Sequence, residues 1–321
     1  MRWLSPLAAA ALLLTLTSAS HATSASPAAD FANYAAQCEQ LVGKIEPFDC
    51  GDGAIVPITV NGIEPKPGEY RKGMTCDRPA LLDYGPESDG QCIPYSRLLD
   101  LSRPGVQISA MCRQKNIRTA DSRQYDEIDI IAHNPATGAT CWFAAHGDGT
   151  NPVDGRHVPS PSGTDGPAYW DPLPAVLAEG CGSCHDNDPA MYSPWVGQKW
   201  ELMPTNPFGP YYHVGGEFGF ADWPTKHMAP RDNTCTGCHR IGIRETCGAL
   251  AETATGRTIP AGADDYAKTF PGSHSMPPGH ELIHDAWNAI HQASVDKLVS
   301  CCKNPAEAGC NIQQIPSFSA R

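Results

Sequence analysis

Cys181-Gly182-Ser183-Cys184-His185 and Cys235-Thr236-Gly237-Cys238-His239 repeat one pentapeptide pattern, C-x-x-C-H, and the organisation of the chain follows from them. With 14 cysteines and 12 histidines in 321 residues, composition predicts roughly 0.02 such pentapeptides. Two copies are therefore not an accident of composition. A zinc site of two C-x-x-C pairs usually spaces its pairs by about 15–20 residues, whereas 51 positions lead from Cys184 to Cys235. Zinc also gives no reason for a histidine directly after each second cysteine. A thioredoxin-like dithiol needs one C-x-x-C in a βαβ setting, and the surrounding sequence has no such pattern.

The chemistry that does require this spacing is covalent haem attachment. Two thiols three apart on one turn add across the two vinyl groups of a porphyrin, and the next residue supplies the proximal iron ligand. Cys181, Cys184, Cys235 and Cys238 are thus candidate thioether positions for two haem c groups, with His185 and His239 as proximal ligands. On these motifs the segment 176–303 resembles a dihaem c-type cytochrome. Bacterial dihaem peroxidases carry their motifs much farther apart. The 54 residues between Cys181 and Cys235 are more like compact multihaem proteins, such as the small dihaem subunit of periplasmic nitrate reductase. The resemblance implies one domain in which two haems share a core, and it covers less than half of the chain.

Outward from the motifs, residues 169–223 hold eleven of the 25 aromatic side chains with no clear helix or strand period. So many rings without regular structure need a large apolar partner. Distal ligands are abundant: His213, His227, His274, His280, His284 and His291, with Met191, Met203, Met228 and Met276. His213 lies inside the aromatic cluster and His227 eight residues before Cys235, so these two are the expected distal pair. Met276, in Met276-Pro277-Pro278, is the alternative. Two protein ligands on each iron imply an electron carrier. One open iron implies instead a redox enzyme acting on peroxide, a nitrogen oxide or a sulfur compound.

His280-Glu281-Leu282-Ile283-His284 matches the H-E-x-x-H zinc peptidase pattern. It falls at the start of a helix expected from about residue 280 to Cys302, with Ile283, Trp287, Ile290 and Leu298 as its apolar stripe. The sequence lacks the extended form of that motif, because Trp287 and Ile290 stand where glycine and histidine are required. A peptidase is the minor alternative.

The remaining ten cysteines divide evenly. Six precede residue 150 (38, 50, 76, 92, 112 and 141) and four follow it (247, 301, 302 and 310). Adjacent Cys301 and Cys302 would be strained if bonded to each other, so Cys247 and Cys310 are expected to take one each. Before residue 150 the runs 106–113 and 125–132, with 139–144 across the turn 134–138, read as strands, the last two as a hairpin. Cys112 and Cys141 are candidates to pair. The expected fold is α+β and loop-rich. A disulfide-stapled β-rich domain (31–150) is followed by a Pro/Gly/Ser-rich linker (151–175), the compact coil/α dihaem domain (176–303) and a tail (304–321).

Arg2 followed by the apolar run 7–16 reads as an export signal cleaved near Ala22, too short to span a bilayer. That implies a periplasmic or secreted chain, in keeping with 14 cysteines. Lys plus Arg number 23 against 35 Asp plus Glu. Removing Arg2 leaves 22 against 35, a mature charge of −13. Such acidity speaks against nucleic acid as partner and for a redox partner protein with a basic docking patch.

Overall fold

The computed structural model describes residues 26–82, 88–263, 274–278 and 282–318. The export segment 1–22, together with His280 and Glu281, lies outside them, as does the side chain of His284.

The described residues open with a helix inside the segment expected to be β-rich, α1 (Pro27–Val42). Ser26 caps it by accepting from the Ala29 N–H, Pro27 sits at its first turn and Gly43 ends it at φ 74°. Phe31, Tyr34, Ala35, Cys38 and Val42 recur at helical spacing and form one buried stripe. After β1 (Ala54–Ile55), β2 (Arg97–Asp100) and β3 (Gln107–Arg113), the short β4 (Gln124–Tyr125) leads into β5 (Glu127–His133) and β6 (Ala139–His146). The expected hairpin is β5–β6, closed by a turn in which the Asn134 N–H donates to the Ala139 carbonyl at 2.9 Å.

Two later elements complete this frame. β7 (Val153–Asp154) pairs with β4, and β8 (Tyr212–His213) adds to β6 as a parallel edge strand. The sheet order is β1-β2-β3-β5-β6-β8, with every other neighbouring pair antiparallel. Its central strands are buried on both faces. One face (Ile128, Ile130, Phe143, Ala145) packs on α1, where Phe31 and Tyr34 meet Phe143 at ring distances of 6.0 and 5.4 Å. The opposite face carries Met111, Asp129, Ile131, Trp142 and His146. Its β2–β3 end is covered by a second cluster with Val56, Ile58, Tyr95 and Trp195.

Cys112 does not pair with Cys141. β5 lies between their strands, so they stand two inter-strand spacings apart, about 9–10 Å, beyond the reach of a disulfide. Cys38–Cys141 instead pins α1 to β6, Cys50–Cys112 pins the preceding loop to β3, and Cys76–Cys92 closes a loop on the second face. In the second half Cys247 bonds Cys302 and Cys301 bonds Cys310, as parity required.

The core crosses the segment expected to be a linker. Trp170 is 3 % exposed, Phe48 bridges Val158, and Leu173, Val176, Tyr211, Val214, Phe220 and Ile315 join the α1-sheet core. Helices α2 (Gly166–Tyr169), α3 (Leu173–Ala178) and α4 (Cys181–Cys184) follow in quick succession. β9 (Lys226–Met228) and, beyond α5 (Ala249–Ala254), the long α6 (His284–Lys303) frame the last third of the chain. The tail returns through β10 (Ile312–Gln314), antiparallel to β9. α6 starts four residues later than its apolar pattern suggested. Ile283 is an extended residue outside it and 72 % exposed, and Ile290 is 50 % exposed. The buried stripe is Trp287, Val295, Leu298 and Val299. Leu282 and Ile283 are both non-helical, so α6 begins only at the last residue of the H-E-x-x-H stretch, of which His280 and Glu281 lie outside the described residues.

Candidate functional site

The four cysteines outside the five disulfides are Cys181, Cys184, Cys235 and Cys238, the cysteines of the two C-x-x-C-H motifs. In the first, a single helical turn, α4, carries both thiols, and its Gly180 N-cap is left-handed at φ 70°. Trp223 packs directly on this turn: a Cβ at Gly182 would fall 2.4 Å from the indole, so only glycine admits that contact. His185 follows at the C-cap. Its ring lies 5.0 Å from Trp142 on β6, and its carbonyl accepts from the Tyr211 hydroxyl at 2.6 Å. Burial pushes the imidazole down to about 4, so it is neutral at pH 7, and Nδ1 is buried with no hydrogen-bond partner. Such a ring has the protonation state a metal requires.

Cys181 is unsuited to thiolate chemistry. Burial, followed by the charges of Asp129, Glu127 and Glu179, pushes its thiol up to about 12. Redox-active cysteines need the reverse, a depressed value in electropositive surroundings.

The second motif is more open, with Cys238 exposed and Cys235 half-buried. Asn233 caps this turn by accepting from the Cys235 N–H at 3.0 Å. His239 Nδ1 lies 2.7 Å from the Arg240 carbonyl, so Nδ1 carries a hydrogen and the ring is oriented by that bond. Cys235 packs against two small clusters, Met228 with Leu298 and the two C-terminal disulfides, and Trp287 with Val295 and Val299.

The residues that follow His185 and His239 are stapled together. Asp186 accepts from the Ile243 and Arg244 N–H groups at 2.6 and 2.9 Å and from the Thr246 hydroxyl at 3.0 Å. Asn187 donates to the Arg240 carbonyl at 2.8 Å, and the Glu245 N–H donates to the Ser183 carbonyl at 3.1 Å. One short segment therefore fixes the second motif relative to the first.

The distal candidates fall in different places. His213, on β8, is buried near His185: both rings touch Trp142, at 5.7 and 5.0 Å. Burial pushes it down to about 3. Its Nδ1 accepts from the Trp142 indole N–H at 2.9 Å, which places the ring proton on Nε2. Ligation through Nε2 would require that bond to break. His227 is half-buried on β9, with Nδ1 3.2 Å from the Met228 carbonyl, so its Nε2 has a lone pair. Met228, not His227, joins the apolar cluster around Cys235. The Met276 carbonyl accepts from the Trp287 indole at 2.9 Å, and His274 stacks on that indole at 4.8 Å. His291, one turn beyond Trp287, lies with Nδ1 2.9 Å from the Thr234 hydroxyl, next to Cys235. The structure thus draws Met228, His274 and His291 toward the second motif, along with the Met276 segment.

No family model matches the chain, and neither curated proteins nor solved structures provide a match. Its five disulfides fit an oxidising compartment, and among the described residues no helix is long and apolar enough to cross a membrane.

Proposed function

We propose that the chain is an exported dihaem c-type cytochrome that carries electrons. The carrying observation is the partition of its cysteines: ten close five disulfides, and the four remaining form two C-x-x-C pairs, each followed by histidine. The donor set fits two haem c groups, held by Cys181 and Cys184 with His185, and by Cys235 and Cys238 with His239. Each group supplies one-electron redox chemistry at iron when bound. Burial keeps His185 a neutral base, and the Arg240 carbonyl orients the His239 ring through Nδ1. Trp142, Tyr211 and Trp223 shield the first site from water. Asp186 and Asn187 keep the two sites in fixed register, as rapid transfer between two centres demands.

His213 and His227 are the proposed distal ligands, with Met276 as substitute. The hydrogen bond from Trp142 to His213 favours one second reading, in which the first iron keeps an open position and acts on a small substrate. A haem-stained denaturing gel with intact mass tests the cofactor count, and a mass without the increment of about 1.2 kDa refutes it. His213→Ala and His227→Ala should each turn one low-spin iron high-spin. Carbon monoxide binding to the reduced wild-type protein, with no spectral effect of His213→Ala, supports the open-iron reading instead. The acidic chain should dock a partner with a basic patch, so transfer should slow as salt shortens the screening length to about 10 Å at 0.1 M.

A further inference from the structure

The sheet face beside Cys181 carries a cluster that electron transfer does not use. Glu127 and His146 are directly opposite across β5 and β6, and Asp129 lies two positions along on the same face. One ligand atom from each lies within 4.8 Å of the other two. Glu127 is 8 % exposed, on a rigid central pair of strands.

The histidine is already oriented. Asp171 holds His146 Nδ1 at 2.5 Å and also accepts from its backbone N–H at 3.1 Å. That leaves Nε2 facing the cluster, with Glu179 3.7 Å away. A carboxylate that fixes Nδ1–H so that Nε2 presents its lone pair is the usual outer partner of a metal-bound histidine.

Charge also leaves room for a cation. Lys115 pairs with one oxygen of Glu127 at 2.6 Å, whereas Arg113 stands 3.6 Å from the other and 3.7 Å from Asp129, beyond hydrogen-bonding range. Four carboxylates (Glu127, Asp129, Asp171 and Glu179) thus face two permanent cations.

We propose that Glu127, Asp129 and His146 bind a divalent metal ion of the zinc type, with Glu179 at the open side as a fourth ligand. Nitrogen and carboxylate oxygen suit zinc. Bonds of about 2.0–2.1 Å hold ligand atoms roughly 3.4 Å apart, so the side chains close in by about an ångström on binding. The site does not depend on the haem reading, because none of its ligands belongs to either motif.

The exported chain, freed of adventitious metal with a chelator, is titrated calorimetrically with zinc chloride. One zinc per chain is expected, and Asp129→Asn and His146→Gln should each weaken it at least tenfold without changing the far-ultraviolet circular dichroism. Asp171→Asn, which removes only the orienting carboxylate, should weaken it about tenfold. Zinc-edge X-ray absorption of the wild type needs no variant to fold, and should show nitrogen and oxygen near 2.0 Å. No stoichiometric zinc, unchanged binding in both ligand variants, or sulfur scatterers near 2.3 Å would each overturn the site.

Discussion

His133, at the end of β5, should make folding stability depend on pH in a way that one substitution removes. The ring is 1 % exposed and fully engaged. Asn206 donates to its Nε2 at 3.2 Å, its Nδ1–H donates to the Thr140 hydroxyl at 2.8 Å, and that hydroxyl donates to the Gly138 carbonyl at 3.1 Å. This chain of bonds is consistent only with a neutral ring, since a second ring proton would face the Asn206 amide hydrogens. Burial pushes the imidazole down from 6.5 to about 4. The unfolded chain therefore takes up the proton first as pH falls. The stabilisation is present above 6.5 and is lost progressively between 6.5 and 4. Between pH 7 and pH 5 those values give a loss of about 1.8 kcal/mol from this group alone. His133→Gln cannot titrate and should cost roughly 1–2 kcal/mol at pH 7 through weaker hydrogen bonding. Urea unfolding of both chains at pH 7 and pH 5, followed by far-ultraviolet circular dichroism with disulfides intact, measures the difference. The other histidines are common to both chains and cancel. The wild-type advantage should shrink by about 1.8 kcal/mol at pH 5. A change under about 0.5 kcal/mol, or growth of the advantage, would refute the role of burial at His133.

Tyr34→Phe should destabilise by about 1–3 kcal/mol, because the Tyr34 hydroxyl accepts from the Trp142 backbone N–H at 2.9 Å, where β8 no longer covers the edge of β6. Thermal unfolding reads this directly, and an unchanged midpoint contradicts it. Replacing Cys38 and Cys141 together by alanine releases a constraint spanning 103 residues; a loss of about 2–5 kcal/mol is expected, measured by denaturant titration. Replacing Cys181, Cys184, Cys235 and Cys238 by serine should make residues 224–310 the first target of limited proteolysis while 26–160 resists. Mass mapping showing first cuts in the sheet would count against that order.

What the residues disclosed, and what they withheld, divides by distance along the chain. The β5–β6 hairpin is local: two apolar runs and a turn containing Asn134 and Gly138 suffice. The even division of cysteines before and after residue 150 reports only that each half closes on itself. Which cysteines meet depends on strand order, and β5 between β3 and β6 could not be read from spacing. Helix α1 is legible in its 31/34/35/38/42 period, in which Cys38 serves both the buried stripe and a cross-link. Parallel addition of β8 more than sixty residues after β6 has no local signal. At the site, the two C-x-x-C-H motifs stand in plain view. The Glu127–Asp129–His146 cluster does not, although Glu127 and Asp129, two of the three acids in the run 125–132, alternate with Ile128 and Ile130 and so mark one face of the strand as polar. His213 shows the limit of position-based reasoning: it was placed correctly among aromatic rings, but which nitrogen holds its proton depends on Trp142, seventy-one residues away.

The two motifs are supported in unlike ways, and the difference bears on what they hold. The first rests on a sheet whose buried residues form one continuous core with α1, so α4 has a rigid floor without any cofactor. Around the second, the described buried apolar side chains amount to two small clusters, and three of the five buried members of the larger are disulfide cysteines. So little apolar area cannot by itself offset the entropy of ordering the surrounding loops. Disulfides supply part of what is missing by restricting the unfolded chain: Cys247–Cys302 and Cys301–Cys310 both end on the last turn of α6, on the side where Cys235 packs. A large apolar ring bonded to Cys235 and Cys238 would supply the rest by burying surface between the Met228 and Trp287 clusters. Spacing alone would have allowed the cysteines of the second motif to serve as one more cross-link. Their place between two undersized clusters, with both neighbouring disulfides already made from other cysteines, is what a bulky covalent partner would require.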